Sequence, residues 1–334
     1  MDREIFSPQV SEKNSFDFLR LLFAFSVFIS HFGKLTHTKI YFPISAPMGV
    51  AGFFIISGFL VTQSYYRSSG IWNYCIKRIR RIVPAYLLIV IACAFGFSLI
   101  STLPLEEYFT SSTFYRYLIA NMGFMNFIQP DLPGVFTKNV EPHVNGSLWT
   151  IKVELMVYAF IPIMAFFLRR KPVFVLTGLY ILSFFVCYLF DHSGKAIFGI
   201  LKQIQFVVSG VLVLFYFDFF KNKLKILLPI AIAVVLSRYF VHYLLINFLF
   251  PVAFAILIIS FAYYVKQLAV ISRYGDFSYG IYLFHYPVIQ LCVHFGGTKI
   301  HPALLFIICF VPIVLLSVLS WHLLEKRMLK RRTR

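Results

Sequence analysis

Long apolar stretches alternate with short polar segments along the chain, and this pattern predicts a helical membrane protein. A helix of about 20 residues crosses the hydrocarbon core of a bilayer, so apolar runs of that length mark candidate spans. Ten such runs cover residues 16–36, 47–66, 82–102, 147–168, 172–190, 196–217, 224–244, 246–265, 276–295 and 303–324. We therefore predict an all-α polytopic membrane protein, a bundle of about ten transmembrane helices that forms a single membrane domain over residues 1–334 with no fused soluble domain.

Two parts of this pattern stay open at the level of sequence. The split between the seventh and eighth runs falls somewhere between Arg238 and Asn247. The stretch 113–128 belongs to a long segment, 103–146, with little periodic apolar pattern, and it either spans, re-enters or lies on the surface. Loops this long usually carry function or are disordered.

Composition excludes a soluble domain. Sixty per cent of the residues are hydrophobic and only 13% are charged, whereas about a quarter are charged in a soluble domain. The five cysteines lie in or beside apolar runs without paired spacing, so we interpret them as packing residues and expect neither a disulfide framework nor a metal site. The N-terminal segment 1–14 is polar and of mixed charge, which does not resemble a removable signal peptide.

The cations predict the orientation, because Lys and Arg are retained on the cytoplasmic side of a membrane. With the N-terminus inside, the cytoplasmic segments contain most of the basic residues: Arg67, those of 77–81, those of 169–171, those of 221–225, Lys266, Arg273 and those of 326–334. An even number of spans then places both termini in the cytoplasm. The net charge of +18 follows mainly from this topology, with anionic membrane lipid as a partner, and nucleic acid is not expected as one.

Two ionisable residues share one face of the first predicted span. Arg20 opens the run and His31 lies deep within it, eleven residues later, which is about three turns and about 16 Å of helix. An ionisable group at mid-depth costs roughly 2.5–3.5 kcal/mol on insertion scales, and such groups usually serve a function. Asp17 is spaced to pair with Arg20. The structural alternatives are a histidine bonded to a neighbouring helix and an arginine that anchors the helix end.

Glu154 is the second charged group predicted at mid-depth. It lies about seven residues into the fourth run, at a depth similar to that of His31. A carboxylate beside an imidazole raises its basicity and fixes its tautomer, as a general base requires. We therefore predict that Glu154 supports His31.

A basic cluster and a glycine-bearing run are candidates for donor binding. Residues 77–81 precede Pro84 at the start of the third predicted span, on the same side as Arg20. Such a cluster suits either lipid headgroups or the phosphates of a nucleotide-bearing donor. The glycines around Ser57 in the second run permit either close helix packing or a slot for a thin ligand arm. No adjacent base is evident that would make Ser57 a nucleophile.

Five motifs, in order, resemble the acyltransferase 3 family. They are Arg20 and His31 with ten residues between them, the stretch 53–58, Arg78 and Arg81 ahead of Pro84, the stretch 147–154, and the stretch 277–287. The resemblance extends from Phe16 to Glu325, and the ordered set is more specific than any single motif. Within the family, the short form without a fused hydrolase-like domain is similar to the O-antigen acetylases of bacteria and their phages.

The resemblance implies transfer of an acetyl group from cytoplasmic acetyl-CoA to a hydroxyl of a lipid-linked or surface polysaccharide, such as an O-antigen sugar of lipopolysaccharide. The reaction would take place across the bacterial inner membrane, with the acceptor on the periplasmic side. Acetyl-CoA is then a substrate, and no tightly bound cofactor is expected. The implied roles are catalysis for His31 and Glu154, donor binding for Arg20, Ser57, Arg78 and Arg81, and acceptor binding for His143, Asn145 and His285.

Several questions stay open beside this resemblance. Lys152 stands where a serine is common in the family, which leaves the charge around Glu154 in question. Direct transfer and a relay through an acylated residue are both compatible with the motifs. A transporter or flippase for a lipid-linked sugar or an acyl carrier is one alternative function, because intramembrane charge and glycine-rich helices serve transport as well as catalysis. A structural subunit that only binds glycolipid is another.

Overall fold

The computed structural model describes residues 13–169, 171–190, 196–238, 240 and 244–330, and this part of the chain is helical without strands. Its α-helices are α1 (Phe16–Thr36), α2 (Ala46–Tyr66), α3 (Ile71–Gly96), α4 (Leu105–Thr110), α5 (Ser112–Met122), α6 (Trp149–Leu168), α7 (Pro172–Phe190), α8 (Ala196–Phe215), α9 (Phe217–Asn222), α10 (Leu224–Ser237), α11 (Leu244–Tyr264), α12 (Ser278–His294), α13 (Pro302–Ser320) and α14 (Lys326–Lys330). The predicted cytoplasmic termini and the absence of a signal peptide concern residues 1–12 and 331–334, which lie outside the described residues.

Each of the ten predicted apolar runs contains a helix. In the described part, seven helices are long and apolar enough to cross a membrane: α1, α2, α3 with its extension to Ile100, α6, α7, α11, and the helix from Pro302 to Leu329. The apolar helices α8, α10 and α12 coincide with the remaining three runs. The prediction of an all-α polytopic membrane protein is therefore confirmed.

Helix α3 begins earlier than predicted. It begins at Ile71 rather than near residue 82, so the basic residues 77–81 lie within the helix and not ahead of it. Lys and Arg are good helix formers, but they lower the mean hydropathy of the segment. A search for apolar segments therefore misses the first two to three turns of this helix. Long basic side chains are well accommodated at a bilayer interface. Pro84, expected at the start of the span, is thus an internal residue of α3.

The two open parts of the pattern are resolved as far as the structure describes them. Helix α5 has 11 residues, about 16 Å of helix, and turns follow it, so the stretch 113–128 does not span. Helix α10 ends at Ser237 and α11 begins at Leu244. The predicted seventh run was too long at its C-terminal end.

The chain groups into two compact units. The first contains the residues up to Arg20, Val50–Cys75 and Val153–Tyr274, and the second contains Leu21–Gly49, Ile76–Lys152 and the residues from Gly275 onward. The boundaries fall inside α1, α2, α3 and α6, so the units are not consecutive domains joined by a linker. The single domain over 1–334 stays a prediction.

In the first unit, glycines set the packing of α2 against α8. A Cβ atom at Gly58 would collide with the backbone carbonyl of Val207, and one at Gly210 would collide with that of Ile55. Both helices therefore touch through their backbones, as small residues permit in membranes. For Gly58, close helix packing is the interpretation that the structure supports.

In the second unit, α12 is the central element. Ten consecutive residues, Ser278 to Pro287, are buried, although they include tyrosines, a serine and a histidine. A Cβ atom at Gly280 would collide with Ser317, so α12 lies directly against α13. The Tyr279 hydroxyl donates a hydrogen bond to the carbonyl oxygen of Ile82 in α3, at 2.9 Å. These contacts fix the rotation of α12 and thus the direction in which its polar side chains point.

Candidate functional site

A pair of histidines forms the centre of the site in the second unit. His31 of α1 and His285 of α12 have nearly parallel rings, with centroids 5.0 Å apart and an interplanar angle of 10°. Nδ1 of His31 lies 2.8 Å from Nε2 of His285. Nδ1 of His285 in turn lies 3.0 Å from the carbonyl oxygen of Ile281, one turn earlier in α12. His285 has no exposed surface, whereas His31 is only partly buried.

The hydrogen bonds of this pair assign its protons. A carbonyl oxygen only accepts, so Nδ1 of His285 must carry the hydrogen that it shares with Ile281. A neutral imidazole has one N–H, so Nε2 of His285 is an acceptor and Nδ1 of His31 donates to it. In the neutral ring of His31 the remaining nitrogen, Nε2, then has a free lone pair. A general base needs this tautomer and an orientation fixed by a second group.

Aromatic side chains hold the two imidazoles in place. The Tyr286 ring meets His31 edge-on, with centroids 5.2 Å apart. The rings of Tyr282 and Phe28 contact His285 at 5.7 and 6.5 Å. Tyr282 is itself fixed by a hydrogen bond of 2.7 Å between its hydroxyl and that of Thr150. Both imidazole rings therefore pack against buried aromatic neighbours.

The carboxylate of Glu141 in the second unit lies beside this pair. The Tyr286 hydroxyl donates to Oε2 of Glu141 at 2.7 Å. Lys34, three residues after His31 in α1, forms an ion pair with the other carboxylate oxygen. Burial alone raises the pKa of Glu141, but the hydrogen bonds from Lys34 and Tyr286 and the charges of Lys34 and His143 outweigh it, so the pKa lies below 4.5. Glu141 is therefore ionised at neutral pH.

The segment that contains Glu141 is anchored to α12. Nε2 of Gln290, which is fully buried, donates to the carbonyl oxygens of Glu141 and His143, each at 2.7 Å. Nδ2 of Asn139 donates to Oε1 and to the carbonyl oxygen of Gln290 at 2.8 and 2.9 Å. A buried glutamine thus connects two loop carbonyls to the helix that contains His285.

The predicted acceptor residues occupy different environments. His285 contacts His31 directly, as described above. His143 is 42% exposed and its Nδ1 lies 2.8 Å from a carboxylate oxygen of Asp131. Asn145 is 4% exposed, and its amide donates to the carbonyl oxygen of Leu283 at 2.9 Å while accepting from Ser147 at 2.6 Å. This geometry makes Asn145 an anchor between the loop and α12, and its contact with an acceptor stays a prediction.

Arg78 and Arg81, predicted to bind the donor, lie on α3. Arg81 forms an ion pair with Asp276, which precedes α12. The same carboxylate accepts from the backbone nitrogen and the hydroxyl of Ser278. The Arg81 guanidinium also lies 6.0 Å from the centre of the Tyr279 ring. Arg81 is therefore held at the start of α12, by a residue that directly precedes the motif 277–287.

The first unit contains the other predicted residues. Arg20 pairs with Asp17 at 2.9 Å, which confirms the pairing expected from their spacing. The carboxylate of Glu154 accepts a hydrogen bond from the Tyr158 hydroxyl, one turn later in α6. Ser57 is partly buried on α2. The support of His31 by Glu154 and the donor contacts of Arg20 and Ser57 stay predictions.

Sequence reasoning missed Glu141 and Asp276. Glu141 is one of only a few acidic residues in the polar segment 103–146, and its proximity to Lys34 arises from the fold rather than from a spacing. Within the residues that the structure describes, no group of three or more His, Cys, Asp or Glu side chains is arranged to hold a metal ion.

Comparison with known proteins adds a second line of information. A family described as Acyltransferase domain matches residues 13–322. The O-acetyl transferase of Shigella phage Sf6 is 27% identical over 333 residues, which cover 96% of this chain and 97% of that protein. Nodulation protein 10 of Rhizobium leguminosarum bv. viciae is 29% identical over 351 residues, 96% of this chain and 94% of that protein.

A third relative is longer than this chain. O-acetyltransferase OatA of Staphylococcus aureus (strain NCTC 8325 / PS 47) is 25% identical over 336 residues, which cover 85% of this chain but 53% of OatA. No solved structure matches the chain.

Proposed function

The chain belongs to the acyltransferase family that its residues 13–322 match, and from this premise we propose that it is a membrane-bound O-acetyltransferase. In this proposal it moves an acetyl group from cytoplasmic acetyl-CoA to a hydroxyl of a surface glycan, such as an O-antigen sugar, on the periplasmic side of the bacterial inner membrane. The names of the phage and staphylococcal relatives support O-acetyl transfer. The observation that carries the proposal is the hydrogen-bond chain from His31 through His285 to the Ile281 carbonyl, because it leaves Nε2 of His31 unprotonated.

The chemistry follows from that free nitrogen. Nε2 of His31 takes the proton of the acceptor hydroxyl as the oxygen attacks the thioester carbonyl of acetyl-CoA. The new C–O bond forms, the C–S bond breaks, and the leaving thiolate takes the proton back from the imidazolium. His285 accepts the hydrogen bond from Nδ1 of His31 throughout, so the cation is stabilised and the ring stays aligned. A positioned base typically accelerates such a step by about 10²–10⁴.

Donor binding is assigned to the arginines. Guanidinium groups bind phosphates in a bidentate manner, and Arg20, Arg78 and Arg81 supply three of them. Asp17 and Asp276 hold Arg20 and Arg81 in fixed positions, so part of the entropy cost of ordering these long side chains is already met before a phosphate binds. In this proposal, the pantetheine arm of CoA passes along Ser57.

Acceptor binding is assigned to the polar layer around Glu141. Lys34 and His143 are the more exposed members of this layer, with side chains 58% and 42% exposed, and both are positioned by carboxylates. They are available to donate hydrogen bonds to sugar hydroxyls. In this proposal, the carboxylate of Glu154 provides negative charge within the membrane in addition to that of Glu141, and it supports His31 as predicted.

The function is tested with membranes from a glycan-producing host that overproduces the chain. These membranes are supplied with acetyl-CoA that carries a label in the acetyl group. The proposal predicts label in the extracted polysaccharide. Label in polysaccharide that is equal with and without the chain would contradict it, and accumulation of unlabelled lipid-linked sugar across the membrane would instead favour the transport alternative. Omitting the acceptor tests the relay, because an acylated residue would then retain label on the protein.

A further inference from the structure

We propose that the first unit contains a binding site for one anionic phospholipid of the surrounding bilayer, in a cavity between α8, α9 and α11. The cavity has a volume of about 460 Å³. Its lining comes from the last turns of α8, from α9 and from the C-terminal half of α11, all within one compact unit. The inference is independent of acetyl transfer, because none of these residues belongs to the proposed catalytic or donor site.

The walls of the cavity suit hydrocarbon. Val213, Phe217, Ile256 and Ile259 are among the apolar side chains that line it. Pockets of 300–1,000 Å³ hold small ligands, so a segment of an acyl chain fits this volume. The apolar part of such a cavity in a membrane protein is filled more favourably by an acyl chain than by water, because apolar walls offer water no hydrogen-bond partner.

One residue that lines the cavity has a buried polar atom without a hydrogen-bond partner among the described residues. Tyr263 lines the cavity and is 9% exposed, and its ring packs against Phe16, Phe59 and Phe217 at 5.6, 6.0 and 5.2 Å. Its hydroxyl is buried and has no hydrogen-bond partner within the described chain. Buried tyrosine hydroxyls usually find a partner, and an unsatisfied one destabilises the protein. A phosphate or ester oxygen of a lipid would accept the missing hydrogen bond.

Two lysines supply charge complementarity. Lys221 of α9 and Lys266, two residues after α11, both line the cavity. Their side chains are exposed, and neither forms an ion pair among the residues that the structure describes. Two ammonium groups at the edge of an apolar cavity match a ligand with an anionic head and a hydrocarbon tail.

The same features distinguish a lipid from the other phosphate-bearing ligands. A free phosphate would leave the apolar volume unfilled. Coenzyme A carries an adenine ring and two amides, each of which needs hydrogen-bond partners when buried, whereas the cavity walls are largely apolar. A glycerophospholipid needs only an anionic contact at the edge and an acyl-chain contact inside.

Photocrosslinking on the full-length chain in neutral detergent tests the site. The probe is phosphatidylglycerol with a diazirine in one acyl chain, and crosslinked peptides are mapped by mass spectrometry. We expect crosslinks within 213–220 and 256–264, and we expect them to be competed by unlabelled phosphatidylglycerol. Crosslinks that avoid both segments would overturn the proposal.

The competitors identify the ligand class. Phosphatidylcholine with the same chains, inorganic phosphate and acetyl-CoA should each compete at least tenfold less well than phosphatidylglycerol. Equal competition by phosphatidylcholine would overturn the role of the lysines in headgroup recognition. Stronger competition by acetyl-CoA or by phosphate would overturn the assignment to a lipid, whatever the outcome of the acetyl-transfer assay.

Matched variants separate specific contacts from net charge. Lys221→Gln and Lys266→Gln should each lower the apparent affinity about fivefold, the effect of one basic residue near an anionic headgroup. The control is Lys223→Gln with Lys225→Gln, two exposed lysines nearby that do not line the cavity. Tyr263→Phe removes only the hydroxyl and should also weaken binding. Equal crosslinking in the cavity variants and the control would overturn the proposal.

Discussion

Nδ1 of His31 donates a hydrogen bond to Nε2 of His285, and the Ile281 carbonyl fixes the proton on the far side of His285. Two residues separated by 254 positions in sequence thus form one hydrogen-bonded pair in which each ring has a defined tautomer. The partly buried member has the free nitrogen, and the fully buried member orients it. A general base and its positioning residue, the roles that we propose for this pair, require such a division.

Substitution of His285 tests the positioning role. His285→Phe keeps an aromatic ring but removes the acceptor, so His31 loses its preference for the Nδ1–H tautomer. We expect kcat to fall by about 10²–10⁴ with little change in the KM for acetyl-CoA. His285→Gln supplies an amide oxygen as an acceptor and should recover part of the loss. Equal activity of the Phe and Gln variants would show that the hydrogen bond has no role in catalysis.

The ion pair of Arg81 with Asp276 tests whether Arg81 is structural or binds the donor. Arg81→Gln removes a cation that pairs with the buried Asp276 carboxylate, and should lower the free energy of unfolding by about 1–3 kcal/mol. Adding Asp276→Asn removes the carboxylate charge that Arg81 neutralised and should restore part of that stability.

If Arg81 also binds CoA phosphates, the double variant will still have a raised KM for acetyl-CoA. Thermal unfolding and steady-state kinetics of both single variants and the double variant separate the two roles. Recovery of KM together with stability would contradict donor binding by Arg81.

The ionised Glu141 gives a pH dependence of stability. Because its folded pKa lies below 4.5, its contribution is present at neutral pH and is lost as the pH falls through the folded pKa. The wild type should therefore unfold at a higher temperature than Glu141→Gln at pH 7, and the difference should shrink on acidification below 4.5.

Glu106→Gln is the control, since Glu106 is an exposed acidic residue on α4 in the same long segment. Thermal melts from pH 7 to pH 3.5 provide the measurement. A difference for Glu141→Gln that widens in acid would have the wrong sign for this assignment.

The backbone contact of α2 with α8 predicts a position-specific cost of adding a methyl group. Gly58→Ala places a Cβ atom against the Val207 carbonyl, and such overpacking typically costs about 1–3 kcal/mol. Gly178→Ala in α7 of the same unit meets no atom within 4 Å and should be neutral or stabilising, because alanine is the better helix former. Similar melting temperatures for the two variants would contradict the close packing.

Hydropathy predicted the helices well because burial in lipid is a property of a whole segment. It failed at the start of α3, where the cations of 77–81 lower the local mean although the backbone stays helical. Sequence reasoning identified His31 as an ionisable residue deep in an apolar run, and His285 through the family motif 277–287. Their pairing was not predicted, because contact between residues in α1 and α12 depends on helix rotation, which Gly280 and Tyr279 set through packing.

Glu141 is a second contact of the site that the sequence did not predict. The sequence predicted from equal depth that Glu154 supports His31, which stays a prediction, and it did not predict that Glu141 lies beside Lys34 and Tyr286. A loop that folds back onto α12 through Gln290 has no periodicity that depth counting detects. Depth is a one-dimensional coordinate, and it does not specify which side chain comes from a neighbouring loop.

The central claim is that His31 is the base of the transfer reaction, and label transfer by a His31 variant tests it most directly. Membranes with His31→Ala, matched in protein amount to the wild type, are supplied with labelled acetyl-CoA. The control is His37→Asn, an exposed histidine just after α1 whose positive φ of 54° asparagine tolerates. We predict that polysaccharide labelling is lost in His31→Ala and retained in His37→Asn. Wild-type labelling by a correctly inserted His31→Ala protein would contradict the account.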